Sequence, residues 1–361
     1  MNRTPSYAQR QRRLPARCVA ACALAGLPLL AAAQATSSVT IYGLFDAAVR
    51  RASNVGADGA SRVSMDDGIF TGSRLGFRTR EDLGGGLSAL LAMESGFDPS
   101  TGASAQASPT ADYGQVAAAT RFWGREIYIG LRSTDGWGLS LGRQYTLAHQ
   151  MTARFQPEGN PNSTAHAIFS SHHVARQDNM VKLEAKLAGV ELAAARTLGE
   201  VAGNNGSDAW AVSAAYTAGP VSLGAYVQRL NNLADTEQRR IVGAGGNWKL
   251  TEAFTLFAGA MRRDDEVSPQ TNRVWTLGAS TRVLPNVTVS AAYLHDKQAG
   301  SARLAGKRKV AYVTASYAFS KRSDVYAVVD RNEVEGGYAK PAFMGTLGSQ
   351  NGLVLGLRHR F

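Results

Sequence analysis

Residues 72–98, GSRLGFRTREDLGGGLSALLAMESGFD, narrow the choice of fold more than any other stretch of the chain. Arg74, Gly76, Arg78 and Arg80 share one parity, while Leu75, Phe77 and Thr79 share the other. A period of two predicts a strand with two unlike faces. The charged face is too basic to be the core of a soluble sandwich. Residues 81–86 then predict a reversal, because consecutive glycines reach the positive-φ conformations that a tight turn needs. Leu87–Phe97 returns as a second strand carrying Glu94 in its middle. Apolar residues on one face and charges on the other, repeated along a chain, predict an all-β transmembrane antiparallel barrel with lipid outside and water inside.

The rest of the chain repeats that pattern. Strand-like segments fall at 38–49, 74–80, 87–97, 121–131, 137–145, 179–187, 190–197, 209–217, 221–230, 240–250, 254–262, 273–283, 287–295, 309–319, 324–331 and 352–361, sixteen in all. Most are close to the ~9–11 residues that a tilted membrane strand requires. Tyr42 and Asp46 take the inner parity of the first; parity leaves 254–262 ambiguous. Connections alternate between short (81–86, 133–136, 188–189, 218–220, 251–253, 284–286, 320–323) and long (50–71, 98–120, 146–176, 332–351). Short turns at one end and long loops at the other are the pattern of an outer-membrane barrel. An even number of strands places both termini at the short-turn, periplasmic end.

Residues 1–35 read as a secretory signal, leaving 36–361 as the barrel domain. Arg10, Arg12, Arg13 and Arg17 form a basic region, 18–30 an apolar one, and Ala33-Gln34-Ala35 a small-x-small cleavage site. Val19-Ala20-Ala21-Cys22 resembles a lipoprotein cleavage box but would leave almost no apolar core before the cut. Both cysteines, Cys18 and Cys22, lie in this segment, so the exported chain forgoes disulfides. The segment also carries five basic residues and no acid, so the formal charge of +11 becomes +6 after cleavage. A positive balance suits an anion path or acidic lipid headgroups; export argues against a nucleic-acid partner.

S-R-x-G-F-R-x-x-E-D-L-G-x-G in residues 73–86 resembles the second and third strands of Gram-negative general porins of the β-proteobacterial type. T-I-Y-G-L-F-D (40–46), Y-I-G-L (128–131), G-R-Q-Y (142–145), R-Q-D-N-M-V (176–181) and the closing G-L-R-H-R-F (356–361) extend the resemblance from the first strand to the last. It implies a sixteen-stranded homotrimeric channel whose third long loop, here 146–176, folds into the lumen opposite basic wall residues. No covalent chemistry and no cofactor are implied. The constriction candidates are Arg74 and Arg78 on the wall, Arg154, Glu158 and Arg176 on the loop, and Arg125. Arg125 matches the family's next wall arginine, although alternation groups it with Ile127 and Ile129. Arg80 reads as a rim charge. The third loop has almost no acids, unlike that of cation-preferring relatives, and this implies an anion preference.

Arg143 shares parity with Leu139 and Leu141, which points it at lipid, where a mid-membrane arginine costs ~2–4 kcal/mol. The resemblance places it at a trimer contact reached by the second long loop; a bulge turning it inward is the alternative. His149, His166, His172 and His173 read as solvated loop residues without metal-ligand spacing, whose protonation near pH 6 would make the constriction more positive. Lys307-Arg308-Lys309 reads as a loop edge that is solvated or faces lipopolysaccharide. Trp137, Tyr145, Trp210, Tyr216, Trp248 and Tyr317 read as interfacial girdle residues. A barrel hydrolase is disfavoured: His295 and Asp296 point to opposite faces, and no nucleophile–base set is legible. No plug domain precedes the first strand.

Overall fold

The computed structural model describes residues 37–106, 112–115 and 121–361. The segment 1–35, read above as an export signal, and much of the second long loop lie outside the described residues. Eighteen strand segments follow one another: β1 (Ser38–Ala52), β2 (Arg62–Asp67), β3 (Arg74–Gly84), β4 (Leu87–Phe97), β5 (Ser104–Ala105), β6 (Glu126–Ser133), β7 (Trp137–Tyr145), β8 (Arg176–Leu187), β9 (Val190–Thr197), β10 (Ala209–Ala218), β11 (Val221–Asn231), β12 (Gln238–Lys249), β13 (Phe254–Asp265), β14 (Thr271–Leu284), β15 (Val287–Ala299), β16 (Gly306–Ala318), β17 (Ser323–Gly336) and β18 (Ser349–Arg360). A short helix, α1 (Leu147–Thr152), follows β7.

These segments make sixteen barrel strands. β2 and β3 lie end to end along β1, β2 pairing with Ala47–Ala52 and β3 with Ser38–Leu44, so they are one strand broken at 68–73. Asp46 pins the break: its carbonyl accepts from Gly68, its carboxylate accepts from Thr71 and Tyr326, and its own N–H donates to Ser73 Oγ. β5 only adds two residues opposite the end of β4. Every pairing is antiparallel, and β1 closes the barrel on β18 from Leu44↔Arg360 to Ala52↔Gly352.

The alternation expected from sequence is the pleat of this barrel. Val39, Ile41, Phe45 and Val49 of β1 are exposed, whereas Asp46, Ala48 and Arg50, of the other parity, are buried. Leu353, Leu355 and Leu357 continue the apolar exterior on β18. So large an exposed apolar surface suits lipid and not water. The ambiguous segment resolves with Leu256 outward and Met261 buried. Ala188 (φ 48°) and Gly189 (φ 82°) form a two-residue hairpin, both in the positive-φ region that matches strand twist. Phe361 exchanges two backbone hydrogen bonds with Gly43, both 3.1 Å, and its ring lies where a side chain at 43 would stand. The C-terminal aromatic is thus seated on the closing seam.

Several boundaries differ from those read in sequence. The segment predicted at 121–131 becomes a strand only at Glu126, because 121–125 turn across the strand end. The supposed loop 50–71 contains β2, and 332–351 shrinks to 337–348 because β17 and β18 run further than their apolar residues do.

Candidate constriction site

β3 and β4 set the basic wall. Arg74 lies with Nη1 3.7 Å from Glu94 Oε1, and Arg125 Nε lies 2.6 Å from the same oxygen. Tyr42 donates to the other Glu94 oxygen at 2.8 Å. Arg125 also donates to Tyr145 Oη at 2.8 Å; Arg176 donates to the same hydroxyl, and its guanidinium sits 4.2 Å above the Tyr145 ring. Strict alternation fails for Arg125 because it precedes the strand and is free of its pleat. Arg78 keeps its inward parity but packs over the Tyr42 ring at 4.5 Å, outside the group that lines the cavity below.

Segment 146–175 packs against the strand face opposite the exposed apolar one. Thr146 caps α1 by accepting from His149 N. Beyond α1, cross-strand neighbours Gly224, Gly245 and Gly259 on β11, β12 and β13 form a row bare of side chains. Met151 fills the space over Gly224, Phe155 that over Gly245 and Gly259, and Pro157 that over Gly278 on β14. Further along, Glu158 accepts from Ser290, Asn162 donates to the Asp67 and Gly68 carbonyls, and Arg308 donates to the Thr164 carbonyl at 2.9 Å. His172 Nε2 lies 2.7 Å from Asp296, and His166 3.4 Å from Asp330.

The histidines are therefore not solvated, contrary to the sequence reading. His166, His172 and His173 are buried, and all four are placed by wall carboxylates or by each other: His173 Nε2 lies 3.3 Å from His149 Nδ1. Burial, with neighbouring positive charge second, holds His149 well below the usual histidine range and lowers His173 to about 3. The sign follows. A histidine neutral in the fold but ordinary when unfolded, at ~6.5, contributes stability above that pH that is lost as pH falls toward about 3. Acidification is expected to loosen the loop, raising open-channel noise in bilayer recordings between pH 6 and 4. His149→Phe with His173→Leu should flatten that dependence; an unchanged pH response would separate these histidines from it.

Between loop and wall lies a cavity of about 1020 Å³. Arg74, Arg125, Arg132, Arg154, Arg176 and Lys186 line it against only three carboxylates, Glu158, Glu184 and Glu191. Two of those carboxylates are occupied, Glu184 by Arg132 and Glu191 by Arg154 and Lys186. Burial pushes the Glu158 carboxyl up, against the Arg358 charge and the Ser290 hydrogen bond that lower it. Six cations against three carboxylates leave the lining net positive, although Arg74 and Arg125 share Glu94 behind it. Of the sequence candidates, Arg74, Arg125, Arg154, Glu158 and Arg176 meet here and Arg78 does not. Arg132, Lys186, Glu184, Glu191 and Tyr145 were not foreseen here; the inward parity of Arg132 with Tyr128 could have revealed the first. Tyr145 was expected in an outer girdle, but the strand ends there and its ring turns inward to stack on His149 at 4.9 Å.

Arg143 also departs from expectation. A bulge between Gly142 and Gln144 shifts the register, yet Arg143 remains opposite outward-facing Ile127. It is buried by its own chain: Nη1 donates to Asp178 at 2.7 Å and Nε to the Gly124 carbonyl at 2.9 Å. Its cost in lipid is met inside one subunit, so it no longer argues for an oligomer. Among the described residues no group of His, Cys, Asp and Glu could hold a metal ion.

A closed antiparallel barrel with an apolar exterior and a charged interior cavity is the architecture of an outer-membrane channel. Residues 19–337 match the Gram-negative porin family, and the chain belongs to it. It is 36% identical to an outer membrane porin protein of Bordetella pertussis over 178 residues, 45% of this chain and 42% of that protein. Against the major outer membrane protein P.IB of Neisseria meningitidis serogroup B it is 25% identical over 94% of its length and 98% of the relative's. Among solved structures it superposes on an anion-selective porin from Comamonas acidovorans with TM-score 0.71 and 20% identity, covering 90% of this chain and all of that one. In-vitro folded OmpT of Vibrio cholerae, in a trimer form, gives TM-score 0.64 at 13% identity over 90% and 99%. The protein is an outer-membrane porin.

Proposed function

We propose that the channel passes small hydrophilic solutes and ions by diffusion and prefers anions. Charge and width at a constriction between segment 146–175 and the Arg74–Arg125 wall act as the filter. The observation that carries this reading is the imbalance of six cationic side chains against three carboxylates around one cavity. In such an enclosed passage the surplus raises the local concentration of anions and repels cations. The name of the Comamonas acidovorans porin agrees with that sign. Cleavage of residues 1–35 on export and assembly as a homotrimer belong to the same reading. The trimer form of the Vibrio cholerae protein supports assembly, as does an outward aromatic group in which Phe77 meets Trp123 and Trp123 meets exposed Phe122.

The test is a planar-bilayer recording of the refolded chain in a salt gradient. An anion-selective reversal potential is expected, with closure in three steps for a trimer; a cation-selective one would overturn the charge filter and leave the channel. Arg74→Gln with Arg154→Gln, both at the cavity and partly exposed, should move the reversal potential toward zero. Arg78→Gln should leave it nearly unchanged, because that guanidinium lies outside the cavity lining.

A further inference from the structure

Lys307-Arg308-Lys309 is part of β16 and not a loop edge. Arg308 turns inward to the carbonyls of segment 146–175, while Lys307 and Lys309 take the outward parity shared with exposed Val313 and Tyr317. Lys307 does not stand alone. The register places Arg262 opposite Arg273, Arg273 opposite Lys297, and Lys297 opposite Lys307. Four adjacent strands therefore present four cations in one unbroken row. Directly opposed side chains lie within roughly 4.5–5.5 Å at their Cβ atoms, and like charges there are destabilising.

The ends of the row are compensated, Arg262 by Asp264 at 2.7 Å and Lys307 by Glu335 at 2.9 Å. The middle is not: among the described residues neither Arg273 nor Lys297 has a carboxylate within 4.0 Å, and both are exposed. One step down the same face, Trp275 is stacked on His295 at 5.6 Å and meets Tyr293 at 5.4 Å. Leu277, fully within the apolar exterior, comes next. Aromatic side chains at that level mark the boundary between hydrocarbon and headgroups. The row sits just above it, at the barrel end that carries the longer connections, the end that faces outside in such barrels.

The geometry points to a binding site for the phosphate groups of an anionic glycolipid in the outer leaflet, centred on Arg273 and Lys297 and flanked by Arg262 and Lys307. A headgroup phosphate supplies the counter-charge that the protein withholds from the middle of the row. The acyl chains lie along the Trp275–Leu277 face. The inference rests on the outer-membrane placement of the barrel and is independent of its ion preference.

The refolded full-length barrel in neutral detergent is titrated with lipid A and the bound fraction read by native mass spectrometry. Wild type is expected to retain the lipid. Arg273→Gln with Lys297→Gln should weaken retention by roughly twenty-five-fold, two surface charges each contributing about fivefold. The charge-keeping exchange Arg273→Lys with Lys297→Arg should hold it near wild type. Unchanged retention by the Gln pair overturns the site, and so does equal retention of lipid A stripped of its phosphates, which would mean acyl contact alone. Displacement by inorganic phosphate would assign the row to a soluble anion instead. Wild-type conductance of the Gln pair shows that the barrel is folded; a wild-type chain that retains lipid A but shows no anion preference would count against the filter and not against this site.

Discussion

An Asp330→Ala substitution is expected to destabilise the barrel by about 3–5 kcal/mol. Asp330 and Arg50 face each other across β17, β18 and β1, with two hydrogen bonds of 2.7 and 2.8 Å, and both are buried. They meet over Gly352, where an added Cβ would stand 2.3 Å from each partner. Removing the carboxylate leaves a guanidinium without counter-charge beside His166, whose Nε2 lies 3.4 Å from Asp330 Oδ2. One side-chain clamp across the closing seam and one anchor of segment 146–175 are thus lost together. Denaturant unfolding of barrels refolded in lipid vesicles, followed by tryptophan fluorescence, measures the effect. Arg50→Met with Asp330→Leu should recover most of the loss, because an apolar pair of similar volume leaves no unpaired buried charge. A double variant as unstable as Asp330→Ala would show that the carboxylate acts mainly through His166.

How much of this was legible in the sequence follows from what sets each position. Period-two alternation is a local property, so the strands, the apolar exterior and inward Arg74 could be read from neighbours in the chain. Arg125 and Tyr145 could not, because each sits where a strand ends and the pleat stops dictating direction. Arg143 needed two facts that no local pattern carries: the bulge beside it and the distant Asp178 that meets it. The histidines of segment 146–175 look like loop residues until the wall brings Asp296 and Asp330 to them. The cationic row is the same lesson on the outer face. Arg262, Arg273, Lys297 and Lys307 are far apart in sequence and adjacent only through register.

The glycine row yields the second large effect. Gly259→Leu is expected to lower single-channel conductance, because the added side chain must push Phe155 off the wall and into the passage. A Cβ at 259 would stand 2.5–2.6 Å from three Phe155 atoms, its nearest neighbours. The closest clash is therefore with the loop. At Gly245 the Ala258 carbonyl is 2.5 Å away, so substitution there would also strain the barrel. Overpacking of this kind costs about 1–3 kcal/mol, comparable to the roughly 1.5–3 kcal/mol that burying one such ring contributes. Pro157, Asn162 and His172 hold the loop further along, where Pro157 Cδ would lie 2.5 Å from a Cβ on Gly278. The segment should therefore shift inward without release, narrowing the space between Arg154 and the opposite wall. Phe155→Ala on the Gly259→Leu background makes room for the leucine and should return conductance toward wild type. The sign discriminates: a rise in conductance would mean that the loop leaves the passage when its contact with β13 is lost. Unchanged conductance with a large loss of barrel stability would mean that the wall, and not the loop, gives way.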